Sequence, residues 1–290
     1  SALIHLSTPT LLAQIAQVGT SFIDTIMAGG AGKGDLAAVA LGGSVFITVY
    51  VTLMGVMTSL NPMIAQLFGA KKSHEIGAMG RQGLWYGVLM GVLGMILMWL
   101  SITPFGLWLD IDESTFIITK QYLWFIGLAM PAAMIHRALH AYASSLNKPK
   151  IIMWVSWLCF LINIPLNWIF VYGKFGMPAL GGAGCGLATA IVFWLNAIIL
   201  FILIQKDKQL QAFGLMDKFS LPNVKILHEI TRLGIPIGLS FFIEVSIFTC
   251  IMFLVARLNG NTEDYVAAQQ IAISLTSLIF IIPQSLGIST

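Results

Sequence analysis

Charged side chains are scarce in this sequence of 290 residues, where they make up only 9% of the chain. A water-soluble domain has about 25% charged residues, and the hydrophobic fraction here reaches 58%. The composition therefore excludes a soluble domain and predicts an all-α integral membrane protein. The small net charge of +3 gives no indication of a nucleic-acid partner.

Cysteine is rarer still, with three residues in the chain. Cys159, Cys185 and Cys250 each lie in an apolar run, where a thiol usually acts as a small packing residue. They do not predict a disulfide framework. The His-Glu-x-x-His pattern of metalloproteases is also missing from the sequence.

Long apolar runs dominate what is present. A helix needs roughly 20 apolar residues to cross a bilayer core of about 30 Å, and the first run is too long and too rich in glutamine to be a signal peptide. We predict eight transmembrane helices, called spans 1 to 8, near residues 5–28, 36–61, 78–102, 116–139, 151–172, 183–204, 234–257 and 265–288.

Basic residues predict the orientation, because cytoplasmic loops collect Lys and Arg. The loop that holds Asp110, Asp112 and Glu113 has neither. We therefore expect a cytoplasmic N-terminus. Most of the basic residues follow spans 2, 4 or 6, namely Lys71, Lys72, Arg81, Arg137, Lys148, Lys150, Lys206, Lys208, Lys218, Lys225 and Arg232.

An internal repeat divides the chain. Span 1 begins with Leu6-Ser7-Thr8-Pro9, and span 7 begins with the similar Leu233-Gly234-Ile235-Pro236. Span 2 begins with Leu36-Ala37-Ala38, and span 8 begins with the similar Val266-Ala267-Ala268. The members of the two pairs are separated by nearly the same number of residues. Such repeats are typical of duplicated transporters with a site between their halves. We predict a first lobe over 1–205, a linker over 206–232 and an incomplete second lobe over 233–290. We expect roughly 200 more residues in the whole protein, a natural eight-helix protein being the alternative.

Two carboxylates lie inside predicted spans, Asp24 in span 1 and Glu244 in span 7. A charge in hydrocarbon costs several kcal/mol, so an ionisable residue there normally faces a polar cavity and marks an ion or substrate path. Asp24 has to find a cation or take a proton. Glu244 follows Ser240 by one turn and lies about 20 Å along the helix axis from Arg257, which is too far for direct pairing.

A polar stripe accompanies Asp24 on span 1. Gln14, Gln17 and Ser21 share its helical face, because successive members are three or four residues apart. The stripe is a candidate wall of a substrate cavity, and hydrogen bonding between helices is the alternative.

Span 5 carries a second polar group. Asn163 and Asn167 are one turn apart, and Pro165 between them removes a backbone donor and frees a carbonyl. Amide and carbonyl oxygens beside a carboxylate could coordinate a hard cation. The alternative is a kinked helix whose amides bond to neighbouring helices.

His136 and His140 have the i, i+4 spacing of a metal pair, but no Cys or carboxylate is near them in sequence, which favours an interfacial position over a zinc site. The glycines at 181, 182, 184 and 186 open span 6. They predict close helix packing or bending. No strand precedes them, so a nucleotide loop is excluded.

Four stretches of the sequence match those of one known family. They are Gly19–Gly30 with Phe22-Ile23-Asp24-Thr25-Ile26-Met27-Ala28-Gly29-Gly30, the set Pro62, Ala65-Gln66-Leu67 and Gly69, the run Asn163-Ile164-Pro165-Leu166-Asn167-Trp168-Ile169-Phe170-Val171-Tyr172-Gly173, and Phe242-Ile243-Glu244-Val245. The chain resembles, over essentially its whole length, the multidrug and toxic compound extrusion (MATE) transporters of the NorM type. The run in span 5 is the most specific of these motifs.

The resemblance implies a fold of 6+6 transmembrane helices in two lobes around a central cleft, cut here after the second helix of the second lobe. It implies a secondary active antiporter, not an enzyme, that exports cationic drugs and dyes in exchange for Na⁺ or H⁺ and needs no organic cofactor. Its setting would be the bacterial inner membrane, and we expect a monomer.

The resemblance also assigns roles by position. Asp24 matches the acid of the first lobe, with Asn163, Asn167 and Thr189 as its neighbours. Asp24 and the two amides are candidate ligands of Na⁺. Glu244 matches the acid of the second lobe's cation site, whose other acidic ligand would lie on the tenth helix, outside this sequence.

The expected mechanism is an exchange in which the drug and the ion compete for one state of the cavity. A ligand shifts a conformational equilibrium only through different affinities for its states, and neutralisation of Asp24 would supply that difference. Bending of span 1 near Pro9 would be the change of shape, and Pro165 is a second helix-bend position. The sequence leaves open the identity of the coupling ion and the range of exported compounds. It also leaves open whether the cleft faces inward or outward and whether these 290 residues transport without the rest of the protein.

Two rival functions remain open at this point. Related folds flip lipid-linked sugars, but phosphate binding calls for several Arg or Lys, and the interiors of the spans have none. A membrane-embedded aspartyl enzyme would need two carboxylates close together. Asp24 and Glu244 could supply them only if the fold brings them together.

Overall fold

The computed structural model describes residues 2–103, 112–217, 220–256 and 264–276. The regular structure of these ranges is helical throughout. The helices are α1 (Ala2–Ala31), α2 (Lys33–Met57), α3 (Leu60–Gly69), α4 (Ser73–Leu100), α5 (Glu113–Gly127), α6 (Met130–Ser145), α7 (Pro149–Tyr172), α8 (Gly182–Lys206), α9 (Lys208–Gln211), α10 (Val224–Val255) and α11 over residues 264–276.

Six helical runs in the described ranges are long and apolar enough to cross a membrane, namely α1, α2 with α3, α4, α7, α8 and α10. A seventh span forms if the bent pair α5 and α6 is taken as one crossing. These runs confirm the all-helical membrane fold and correspond to spans 1 to 7. Span 8, predicted over 265–288, is described only as far as residue 276, and its remainder lies outside the described residues.

Span 4 differs from the prediction because it is broken. α5 and α6 meet at an angle of 41°, and Pro131 lies in the first turn of α6. A proline lacks the N–H that would continue the helical ladder. The Trp194 indole of α8 donates to the Leu128 carbonyl at the break, at 3.1 Å, so the tertiary fold supplies a partner there.

The predicted linker also contains more helix than its polarity indicates. α9 begins after Asp207, whose carboxylate accepts from Gln209 N at 2.9 Å. α10 begins at Val224 within the predicted linker, and Asn223 caps it by accepting from Lys225 N at 3.0 Å. Capping side chains of this kind satisfy the free N–H groups of a first helical turn. These caps explain why helix begins in the polar segment, before the apolar run of span 7 is reached.

The connections after spans 2, 4 and 6 meet at one end of the bundle. Arg81 of α4 donates to the Gly214 carbonyl at 2.7 Å, and Lys148 pairs with Asp207 at 2.9 Å. This end is called the basic end. The other end, where α1 and α10 finish, is called the distal end.

The helices that carry the polar motifs pack against one another. α1 lies along α7, α7 lies along α8, and α10 packs along α2. Glycine permits the last contact, because a Cβ built on Gly55 would lie 3.0 Å from the Gly238 Cα. Close approach through small residues is the usual means of association between membrane helices. The packing places the single carboxylate of α1 against two neighbouring helices.

Candidate functional site

Asp24 lies inside the helix bundle, where it is only 9% exposed. Asn163 and Asn167 of α7 are fully buried beside it, and Thr189 approaches from α8. The structure thus brings together four of the residues that the sequence singled out, and they come from three helices.

Both carboxylate oxygens of Asp24 accept hydrogen bonds. Asn167 Nδ2 donates to Oδ1 at 2.7 Å, and Thr189 Oγ1 donates to Oδ2 at 2.8 Å. The same Asn167 Nδ2 donates its second hydrogen to Asn163 Oδ1 at 2.8 Å. This chain of donors satisfies a charge that would otherwise be strongly destabilised by burial.

Two amide atoms of the same cluster have no hydrogen-bond partner in the described part of the chain, namely Asn163 Nδ2 and Asn167 Oδ1. Buried polar atoms are nearly always paired, so each exception calls for an explanation such as a bound water or ion. The cluster therefore has one spare donor and one spare oxygen acceptor beside a carboxylate.

Small residues at the start of α8 bring Thr189 within reach. A Cβ built on Gly184 would lie 2.7 Å from the Phe170 carbonyl oxygen, and one on Gly186 would lie 3.0 Å from the Tyr122 carbonyl oxygen. Larger side chains at these positions would push α8 away from α7 and α5. The predicted close packing at these glycines is therefore present.

The backbone of α1 is also held at this site. Cys185 Sγ donates to the Asp24 carbonyl at 3.5 Å, and the Tyr172 hydroxyl donates to the Met27 carbonyl at 3.2 Å. Sequence reasoning assigned Cys185 to packing and gave Tyr172 no role of its own. A search for donors near positions 163 to 189 of the neighbouring helices could have found them.

The polar stripe of α1 has mixed surroundings. Gln14 is partly buried and its Oε1 atom has no partner among the described residues. Gln17 is exposed, and its Nε2 atom lies 3.5 Å from the Tyr50 hydroxyl. Ser21 is exposed. One helical face therefore passes from the buried Asp24 site to an open surface.

Aromatic rings lie beside this stripe. Tyr50 stacks on Phe46 with ring centroids 5.4 Å apart, and Phe193 of α8 lies 5.7 Å from Tyr50. The Gln17 amide reaches the same Tyr50. The stripe is thus joined at Gln17 to a hydroxyl and a group of three aromatic rings.

Glu244 has the opposite surroundings to Asp24. It lies in α10 and its side chain is exposed in the described structure. It is not among the hydrogen-bond partners of Asp24, which are Asn167 and Thr189. The structure does not bring the two carboxylates into one hydrogen-bonded pair.

The remaining candidates lie elsewhere. Pro9 is buried within α1 and Pro165 is exposed within α7, and each helix continues through its proline. The His136 and His140 rings are 6.1 Å apart at centroids. No group of three or more His, Cys, Asp or Glu side chains suited to a metal occurs in the ranges that the structure describes.

Sequence comparisons give the same family as the motifs. The profile of the MatE family matches residues 9–169. The chain is 59% identical over 285 residues to the probable multidrug resistance protein NorM of Neisseria meningitidis serogroup A / serotype 4A, a match over 98% of this chain and 61% of the relative. It is 39% identical over 288 residues to the multidrug resistance protein NorM of Vibrio cholerae serotype O1, a match over 99% of this chain and 62% of that relative.

A structural comparison agrees. The solved structure of the MATE transporter NorM-NG in complex with a dye and a monobody superposes with a TM-score of 0.73 at 51% identity, over 98% of this chain and 61% of that one. The chain spans about 61% of the length of the curated relative from Neisseria. From the matched profile, the relatives and the shared helical fold, the chain belongs to the MATE family of membrane transporters.

Proposed function

We propose that this chain forms the larger part of a multidrug efflux antiporter, which exports cationic amphiphilic compounds in exchange for Na⁺ or H⁺. The names of the relatives support efflux of drugs. The complex of one relative with a dye supports compounds of that class as cargo. Family membership supports a transporter rather than an enzyme.

The observation that carries the proposal is the Asp24 cluster. A hydrogen bond to a charged group contributes about 1.5–3 kcal/mol, and Asp24 accepts one on each oxygen. An ionised carboxylate at this depth costs several kcal/mol. The two contributions are similar in size, so the charged acid is only just satisfied in this conformation. We infer that a proton or a cation arriving at Asp24 shifts the preferred conformation of α1.

A proton fits the cluster through Thr189. A hydroxyl both donates and accepts, so Thr189 can rotate its hydrogen away from Asp24 Oδ2 and accept from the protonated acid. Asn167 cannot reverse in this way without losing its bond to Asn163, because both hydrogens of its amide nitrogen are in use. Thr189 is therefore the residue that we expect to respond first to a proton.

Sodium, the other candidate coupling ion, fits the oxygens of the cluster. Carboxylate and amide carbonyl oxygens suit hard cations, and Asn167 Oδ1 has no partner among the described residues. Asp24, Asn163 and Asn167 together offer such oxygens. A cation that turned the amides toward itself would break the bond from Asn167 to Asp24, which again changes how α1 is held.

The cationic cargo would lie along the exposed part of the α1 stripe. Gln17 and Ser21 are exposed. The Gln17 amide reaches the Tyr50 hydroxyl, and the Tyr50 ring packs with those of Phe46 and Phe193. Cations are attracted to aromatic faces by about 0.5–2 kcal/mol. We infer that Gln14, Gln17 and Ser21 belong to the wall of the drug cavity.

The same proposal covers the organisation of the whole protein. We infer a first lobe over 1–205, a linker over 206–232 and a second lobe that begins at 233, with Glu244 in the cation site of that second lobe. The basic end would be cytoplasmic, since it collects Lys and Arg. A monomer in the bacterial inner membrane is the expected state.

The decisive experiment uses the full-length protein in sealed vesicles with ethidium as cargo. A Na⁺ gradient and a pH gradient are imposed separately, and efflux is followed by fluorescence. Ethidium efflux driven by one gradient supports the proposal and names the ion. Absence of efflux with both gradients would contradict it. Wild-type efflux by Asp24→Asn under the active gradient would contradict the role of the cluster.

A further inference from the structure

Thr25 follows Asp24 in the sequence but faces a different part of the molecule. Its Oγ1 atom lies 3.2 Å from Ser274 Oγ and 3.4 Å from Gln270 Nε2, both on α11. Thr25 and Ser274 are 6% and 8% exposed. A buried polar contact therefore joins the helix that carries the candidate coupling acid to the helix beyond the predicted linker.

The direction of these bonds is set by the hydrogens available. Thr25 Oγ1 donates its one hydrogen to the Ser21 carbonyl at 3.0 Å, as a hydroxyl in a helix commonly does. It then acts as the acceptor for Ser274 and for Gln270. A single oxygen on α1 thus holds two donors of α11.

A second hydroxyl contact occupies the related place in the repeat. Thr249 Oγ1 of α10 lies 2.6 Å from Thr48 Oγ1 and 3.3 Å from the Ser44 carbonyl, both on α2. The offset that relates Leu36 to Val266 also relates Ser44 to Ser274. The offset that relates Pro9 to Pro236 brings Thr25 to within one helical turn of Thr249.

We propose that these two hydroxyl contacts are paired latches, which hold the halves of the transporter together near the distal end and must break whenever the cleft opens there. The first latch is Thr25 with Ser274 and Gln270, and the second latch is Thr249 with Thr48 and Ser44. The inference rests on the proposed transport function. Only the first latch lies one residue from Asp24, so a movement of α1 at the acid reaches it directly.

Each latch stabilises the closed arrangement weakly enough for it to open and close reversibly. One neutral hydrogen bond shifts an equilibrium by about fivefold, so the two contacts hold the halves together without fixing them permanently. The Lys33–Asp264 ion pair, at 2.7 Å, joins the starts of α2 and α11 at the same end. Its side chains are 74% and 42% exposed, and exposed pairs contribute little.

A reversible cross-link tests the first latch. In the full-length protein with Cys159 and Cys250 replaced by alanine, and Cys185 by serine to keep a donor for the Asp24 carbonyl, the double variant Thr25→Cys with Ser274→Cys is oxidised. Ethidium efflux is measured before and after reduction. We expect a disulfide that stops efflux and a return of efflux when the disulfide is reduced. The single variants are the controls. A disulfide that leaves efflux unchanged, or no disulfide at all, overturns the latch.

A second measurement does not depend on transport. Thr25→Val keeps the shape of the side chain and removes the acceptor oxygen, whereas Thr25→Ser keeps the oxygen and is the matched control. A cysteine at position 21 is labelled with a membrane-impermeant maleimide from the distal side. The valine variant loses the acceptor of two bonds, so we expect labelling about 5-fold to 25-fold faster with Thr25→Val and unchanged with Thr25→Ser. Equal rates would overturn the latch, whereas absence of gradient-driven efflux in the wild type would overturn the proposed function alone.

Discussion

Asp24 and Glu244 are the two acids inside the predicted membrane spans, and their surroundings are opposite. Asp24 is 9% exposed and accepts hydrogen bonds from two neighbouring helices. Glu244 lies on an exposed face of α10. Asp24 is therefore held by donors from α7 and α8, whereas Glu244 faces away from the helices that the structure describes.

The difference comes from which side of each helix is covered. α1 packs along α7 and α8, and the face of α1 that bears Asp24 meets the amides of α7. α10 packs along α2 through Gly234 and Gly238, and Glu244 lies on another face. An acid inside an apolar helix is thus not necessarily enclosed, and its role depends on the helices around it.

The largest effect is expected from Asp24→Asn. The amide keeps the size of the side chain but cannot gain or lose a charge, so the ion can no longer alter the preference between conformations. We expect ion-driven efflux to fall to the level of vesicles without the protein, with the helical content unchanged by circular dichroism. Glu244→Gln in the same assay is the matched comparison. Retention of ion-driven efflux by Asp24→Asn would remove the proposed distinction between the two acids.

The next effect concerns the donor on α7. Asn167→Ala removes the bonds to Asp24 and to Asn163 and leaves a buried carboxylate with one donor. We expect a loss of about 1.5–3 kcal/mol in stability, measured by thermal unfolding in detergent. Asn196→Ala on α8 is the control, because Asn196 Nδ2 bonds to the Val192 carbonyl of its own helix. Equal shifts in the two variants would contradict a special role for Asn167.

A smaller and more selective effect is expected from Thr189. Thr189→Val removes the hydroxyl that donates to Asp24, whereas Thr189→Ser keeps it. Loss of that bond should slow gradient-driven efflux by about tenfold in the valine variant and leave the serine variant close to wild type. If proton coupling operates through this hydroxyl, the pH dependence of efflux should also shift in Thr189→Val alone. An unchanged profile would favour Na⁺ at the cluster.

Outside the membrane spans, Asp207 gives a modest dependence of stability on pH. Burial raises the pKa of its carboxyl, but hydrogen bonds from Lys148 and from the backbone N–H groups of Leu210 and Gln209 outweigh it and bring the pKa below its ordinary value. A lowered pKa stabilises the fold above the ordinary value of about 3.9 and ceases to do so as the pH falls through the folded-state value. We expect Asp207→Asn to cost about 1 kcal/mol at pH 7 and progressively less in acid, as measured by thermal unfolding. A cost independent of pH would contradict this account.

The smallest effect is expected from the stability of Glu244→Gln. An exposed substitution away from special contacts usually changes stability by less than about 0.5 kcal/mol. Thermal unfolding of this variant should therefore match wild type, even if its efflux is reduced. A large loss of stability would mean that Glu244 is enclosed and would weaken the contrast with Asp24.

The residues of the candidate site show which features of it could be predicted from the sequence. Asp24, Asn163 and Asn167 were singled out because polar side chains are costly within apolar runs, and the structure places them together. Their bonding pattern was not predictable, since a helical face does not say which helix covers it. Cys185 and Thr25 gave no signal, because a small thiol or hydroxyl inside a span is usually a packing residue.

The predicted linker and span 4 likewise show what neighbouring residues can predict and what depends on contacts with residues far away in the sequence. Proline at position 131 indicates a break, but the angle of 41° and the Trp194 bond to Leu128 depend on α8. The early start of α10 follows from a cap at Asn223 that the apolar pattern does not record. Arg81 reaches the linker backbone although the two are far apart in the sequence, and no local pattern predicts such a contact.

The sequence by itself determined that the protein is a helical membrane protein with a repeat and two acids in its spans, because the bilayer requires long apolar runs and makes every charge within them conspicuous. Only the tertiary structure decided that one acid is held by donors from two helices, that the other is exposed, and that Thr25 reaches α11. The reason is physical: hydrogen bonds act over about 3 Å, and helix rotation and packing decide which side chains come that close.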